Sequence, residues 1–114
     1  MYKIIIIVVL TLASGFIFYK FYMGKFPTEF NEEALFVDVR SAKEFAGGSV
    51  PNAINIPLST VEANLDKFKD QEQVVVFCFS GGRSGKAKII LEKNGIENVI
   101  NGGPWQNVAN NVAK

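Results

Sequence analysis

The first hydrophobic block in the chain has no polar face. Residues 4–19, IIIIVVLTLASGFIFY, carry no charge, Lys20 interrupts, and Phe21, Tyr22 and Met23 resume the run. A surface helix shows a polar stripe, and this segment shows none. Counted through Met23 it has about the length of a helix that crosses a bilayer, and Lys20 can snorkel to the headgroups. Residues 24–33 are polar, hold a glycine and a proline, and read as a linker. The pattern then changes character. ALFVDV (34–39) and AINI (53–56) read as short strands, and QVVVFC (73–78) reads as a strand covered on both faces. SAKEF (41–45) begins with an N-cap residue and places Glu44 at the capping-box position of a short helix. PLSTVEANLDKF (57–68) puts Leu58, Val61, Leu65 and Phe68 at helical spacing. RSGKAKIILEKNG (83–95) reads as a helix ending at Gly95, IENVI (96–100) as the last strand, and Gly102-Gly103-Pro104 as the start of a helical or irregular tail.

Alternating strands and helices predict an α/β domain over 34–114, a parallel sheet flanked by helices, preceded by an N-terminal hydrophobic helix over 1–23. That helix is expected to be a single-pass anchor or an uncleaved signal; a cleaved secretory signal is the alternative, although no clear cleavage site follows it. Lys3 on one side and Lys20 and Lys25 on the other leave the positive-inside comparison almost balanced. In such sheets ligands bind beyond the carboxyl ends of the strands. The most apolar strand, hence the most central, delivers Cys78 to that edge.

Composition then restricts the chemistry. The net charge is +1 and the lysines are scattered among acids, so no nucleic-acid face is expected. One cysteine forbids an internal disulfide or a C-x-x-C pair. With no histidine, there is no Ser-His-Asp triad, no Cys-His dyad and no imidazole metal ligand. No cofactor and no metal are expected.

What remains is the loop CFSGGRS, residues 78–84. A tight strand-to-helix turn aims successive N–H groups at its own centre and forms an anion nest. Gly81 and Gly82 permit the backbone angles, and Arg83 adds a fixed positive charge beside a helix start. A helix N-terminus contributes up to ~2 kcal/mol toward an anion, and amide hydrogen bonds to a charged group contribute ~1.5–3 kcal/mol each. The loop is therefore sufficient to favour a Cys78 thiolate without a base. The competing reading is a cysteine that only packs, but packing needs neither the glycines nor the arginine. Asp38 and Arg40 end the first strand on the same sheet edge. They are expected to support the site, chiefly by Arg40 pairing with Asp38 or Glu44. Trp105 reads as a packing or rim residue, with substrate-pocket lining as the alternative.

CFSGGRSGKAKIILEKNGIENVINGG resembles the active-site loop, following helix and last strand of rhodanese domains. LFVDVRSAKEFAGGSVPNAINIPL resembles the other signature of that family, and the likeness covers about 34–105. Length and apolar N-terminus are most similar to the phage-shock-protein-E type of single-domain rhodanese, which is exported to the periplasm. The resemblance implies a small parallel sheet of four or five strands, the first strand of longer members having no clear counterpart. It implies thiosulfate-type sulfurtransferase activity through a Cys78 persulfide. The expected partners are a small anionic sulfur donor and a cyanide or thiol acceptor. Backbone amides of 79–83 would cradle the persulfide and Arg83 would orient the donor, so Phe79, Ser80, Gly81, Gly82, Arg83 and Ser84 are the expected binding residues. A monomer is expected, held to a membrane through 4–23 with its domain on the periplasmic side; a secreted or a cytoplasm-facing form is the alternative. A persulfide carrier or a non-catalytic partner-binding module would share this loop. Cysteine phosphatases of similar fold space the pair as Cys-x5-Arg. Here Arg83 follows Cys78 in a Cys-x4-Arg loop, which favours sulfur over phosphate. Ser49 stands where the family often has histidine.

Overall fold

The structure is a computed structural model that describes residues 2–112, with the side chains of 2–10 and 23 outside the described set. Helix α1 runs over Tyr2–Met23. Among the described residues no helix is long and apolar enough to cross a membrane. The spanning segment expected over 4–23 depends on side chains at 4–10 and 23, which lie outside the described residues. From Leu12 to Phe21 the large apolar side chains are exposed.

Four parallel strands form the sheet, in the order β2-β1-β3-β4: β1 (Leu35–Asp38), β2 (Ile54–Asn55), β3 (Val74–Cys78) and β4 (Val99–Pro104). Among the described residues the sheet therefore has four strands. Every residue of β3 is buried, as the unbroken apolar run predicts for a strand covered on both faces. Val74, Val76 and Cys78 face one core with Val37, Phe68, Ala87 and Leu91. Val75 and Phe77 face a second core with Val50 and Val108. This period-two division places α3 (Gly82–Lys93) on one face and α4 (Trp105–Val112) on the other. Phe30, between α1 and β1, packs on the second core with Phe36.

Two elements differ from the sequence pattern. The segment 57–68 forms 3-10 turns, Leu58–Thr60 and Glu62–Lys67, rather than one α-helix. Local side chains compete for its backbone: the Thr60 hydroxyl donates to the Pro57 carbonyl at 2.8 Å and Asn64 donates to the Thr60 carbonyl at 2.8 Å. Asn64 itself leaves helical geometry (φ −122°, ψ 26°). Val61 and Phe68 are nevertheless fully buried, so the apolar spacing still selects the face. The last strand lies later than the run IENVI suggests. It includes Gly102-Gly103-Pro104, with a register irregularity where Val76 faces Asn101 but Phe77 faces Gly103. The tail is helical, as α4.

A buried polar knot fixes the loops after β1. Arg40 Nη2 and Nε reach Asp38 at 2.7 and 3.0 Å, and the Arg40 amide donates to Asp38 Oδ1 at 2.9 Å. Arg40 Nη2 also donates to the Gly48 carbonyl at 2.6 Å, and the Ser49 hydroxyl donates to Asp38 Oδ2 at 2.7 Å. The Arg40 guanidinium lies 5.2 Å from the Trp105 ring centre. Both charges are out of solvent. Removing one partner of a buried pair costs about 3–5 kcal/mol because the other charge is stranded. Asp38→Ala is therefore expected to lower unfolding free energy in urea by about 3–5 kcal/mol, and a loss below ~1 kcal/mol would contradict the assignment.

Candidate active site

Cys78 ends β3 and is 1% exposed, so its sulfur forms the floor of the loop rather than its rim. The turn that follows depends on Gly81, whose φ of +98° lies in the left-handed region. In that conformation the Gly81 amide points back and donates to Cys78 Sγ at 3.0 Å. A side chain at Gly81 would also strike the ring of Phe26, an ideal Cβ lying 2.7 Å from it. The same ring covers Gly103, opposite the loop. Tyr22 adds a hydrogen bond from its hydroxyl to the Ser80 carbonyl. The chain before β1 thus braces the loop from outside.

Ser84 braces it from inside. It is fully buried, with Oγ 3.3 Å from Cys78 Sγ. Its hydroxyl donates to Asn101 Oδ1 at 2.7 Å. The orientation of that amide is fixed by its other contacts: Asn101 Oδ1 accepts from Gly103 N at 3.0 Å, and Asn101 Nδ2 donates to the Gly81 carbonyl at 3.1 Å. A serine has one proton to give. In the neutral thiol, Cys78 therefore donates to Ser84, which donates to Asn101. On ionisation the sulfur becomes a pure acceptor. A charge-assisted bond is roughly twice as strong as a neutral one, so the hydroxyl turns to sulfur while Asn101 Oδ1 keeps the Gly103 amide.

The electrostatic outcome follows. Burial pushes the Cys78 thiol up, but hydrogen bonds from the Ser84 hydroxyl and from the amides of Ser84, Ser80 and Gly81 outweigh it. The thiol is held below its ordinary value with no histidine in the chain.

The expected binding residues divide into two groups. Ser80, Gly81 and Ser84 converge on the sulfur. Phe79, Gly82 and Arg83 make no hydrogen bond to the resting sulfur. Gly82 instead opens α3. Phe79 is 63% exposed and lines a cavity of about 320 Å³ with Tyr19, Tyr22, Pro104 and Gln106. Arg83 turns to Glu44, with Nη1 to Oε1 at 2.7 Å and Nη2 to Oε2 at 3.0 Å. Glu44 lies in α2 (Ala42–Ala46) and forms the expected capping box with Ser41. Asp38 and Arg40 pair with each other as supporting residues, and Glu44 is left to Arg83.

With this geometry in place, likeness to known proteins decides the family. The Rhodanese-like domain family matches residues 26–103, well over half of the chain. The protein belongs to the rhodanese-like domain family. A sulfurtransferase of Allochromatium vinosum is 33% identical over 70 residues, 61% of this chain. The match spans 65% of that relative, a little under two-thirds of its length. The thiosulfate sulfurtransferase PspE of Escherichia coli is 36% identical over 78 residues, covering 64% of this chain and 72% of PspE. Among solved structures, a rhodanese with anions from Escherichia coli superposes with a TM-score of 0.62 at 33% identity, covering 67% of this chain and 92% of that one.

Within this rhodanese-like domain, Ser84 is the side chain that distinguishes an activated thiol from a packed one. Ser84→Ala removes a bond to the thiolate worth roughly 1.5–3 kcal/mol, so the rate of Cys78 alkylation by iodoacetamide at pH 7 is expected to fall about tenfold or more. An unchanged rate would show that Ser84 gives the thiolate no net support.

Proposed function

We propose that the protein is a sulfurtransferase that carries sulfane sulfur on Cys78. The observation that carries this reading is the Gly81 amide at 3.0 Å from a buried sulfur, with Ser84 on its other side. Such a site holds one negative charge on sulfur, as a thiolate before transfer and as a persulfide after it. The Cys78 thiolate attacks the outer sulfur of a donor such as thiosulfate. The donor's S–S bond breaks, and sulfite leaves with the bonding electron pair. The acceptor, cyanide or a thiolate, then attacks the outer sulfur of the persulfide, and the thiolate is regenerated. The two half-reactions give ping-pong kinetics. The names of the relatives, sulfurtransferase and thiosulfate sulfurtransferase, agree with this chemistry. The Cys-x4-Arg spacing favours it over phosphate transfer.

We further propose that residues 4–23 attach the domain to a membrane, with the domain on the periplasmic side. Support comes from the uncharged run of 4–19 and from the exposure of Leu12, Phe16, Ile17, Phe18 and Phe21. Exposed apolar residues in such a row require a cover of lipid or protein.

Cys78→Ser tests the reaction. Thiocyanate formation from thiosulfate and cyanide is expected to fall by about 10³-fold or more. Incubation with thiosulfate should add the mass of one sulfur atom to the native protein and none to the variant. Turnover by the variant at the native rate would overturn the assignment.

A further inference from the structure

Arg83 is the side chain expected to receive an anionic donor, yet Glu44 occupies it. Arg83 Nη1 donates to Glu44 Oε1 and Nη2 to Oε2, a two-point match across 39 positions of sequence. Glu44 is itself held from behind. The Ser41 amide and hydroxyl donate to Glu44 Oε1 at 3.3 and 3.1 Å, and the Glu44 amide donates to Ser41 Oγ at 3.2 Å. The carboxylate cannot swing away from Arg83 without opening the cap of α2. The hydrogen bond from Arg83 holds the Glu44 carboxyl down at about 2, so it is charged at neutral pH. The pair is also exposed enough for a solute to reach, with the side chains 38% and 35% accessible. Half-exposed ion pairs contribute little to stability, so the fold does not require it.

We propose that Glu44 is a specificity-determining residue that turns the site away from dianionic donors and toward singly charged organic ones of the thiosulfonate type. This deepens the sulfurtransferase reading and rests on it. The loop amides and Ser84 already compensate the single charge on sulfur. A thiosulfate dianion brings two more negative charges, and the counter-charge that would meet them is already neutralised by a fixed carboxylate. The dianion has to displace Glu44 or sit beside it. A thiosulfonate leaves as a sulfinate and brings one negative charge with an organic body, so it meets less of this repulsion. Its reaction balances in the same way: the Cys78 thiolate takes the outer sulfur and the sulfinate takes the electron pair of the broken S–S bond.

Glu44→Gln provides the test, because glutamine also serves at the third position of a capping box. Steady-state kinetics are measured for native protein and variant with thiosulfate and with benzenethiosulfonate, cyanide being the acceptor. The variant's KM for thiosulfate should fall by about tenfold or more, its KM for benzenethiosulfonate by about threefold or less, and kcat should change little. At about 1 M salt the gap between the donors should narrow, since screening shortens the reach of the carboxylate. Equal changes for the two donors, or a thiosulfate KM that stays or rises, would overturn the inference while leaving the sulfurtransferase reading intact. Failure of the native protein to load sulfur on Cys78 from either donor would overturn both. Should Glu44→Gln not fold, Glu44→Ala removes the carboxylate while the amide at position 44 still donates to Ser41 Oγ. Its thiosulfate KM should also fall, and an unchanged value counts against the proposal.

Discussion

The hydrogen bond from the Gly81 amide to the sulfur of Cys78 is the contact on which the site depends. A buried thiolate is costly unless donors surround it, and this chain has no histidine to share its proton. The donors must come from the backbone, and a backbone donates inward only when the chain turns tightly. Gly81 makes that turn in the left-handed region, and α3 begins immediately after it, supplying Ser84. Phe26 on the outside and Asn101 beneath hold the turn in place. Sequence, backbone angle, burial and reactivity form one chain of cause here.

Two arginine–carboxylate pairs show how burial divides roles between similar residues. Arg40 and Asp38 are both out of solvent and tie together β1, the turn at Gly48 and Ser49, and the Trp105 ring. The pair ties the loops after β1 to one another. Arg83 and Glu44 form an equally short pair at an accessible position next to the reactive loop. There the carboxylate neutralises the guanidinium charge beside the loop. The hydroxyl of Ser49 completes the buried knot by donating to Asp38.

Much of this arrangement is legible in the sequence, and the limits have physical causes. The apolar run 73–78 announces a central strand because both its faces are covered, and Ser41 with Glu44 announces a helix cap; both are found. The spacing in 57–68 gives the right buried face but the wrong helix, because Thr60 and Asn64 use their side chains on the local backbone. Asn101 carries no signal. Its role arises from the irregular pairing of β3 with β4, which brings its amide between Ser84 and Gly103. Phe26 is similarly silent, since its contact with Gly81 spans most of the domain. Glu44 is visible as a cap residue, and only the fold shows that its carboxylate has a second partner 39 residues away.

The central claim is that loop amides and Ser84, with no base, favour the Cys78 thiolate. The most direct measurement is the pH dependence of iodoacetamide alkylation of Cys78 in the folded protein and in the same chain unfolded in urea. The account predicts a titration midpoint for the folded protein below that of the unfolded chain, because the donors around sulfur outweigh its burial. A folded-state midpoint equal to or above the unfolded one would mean that burial wins, and would contradict the account.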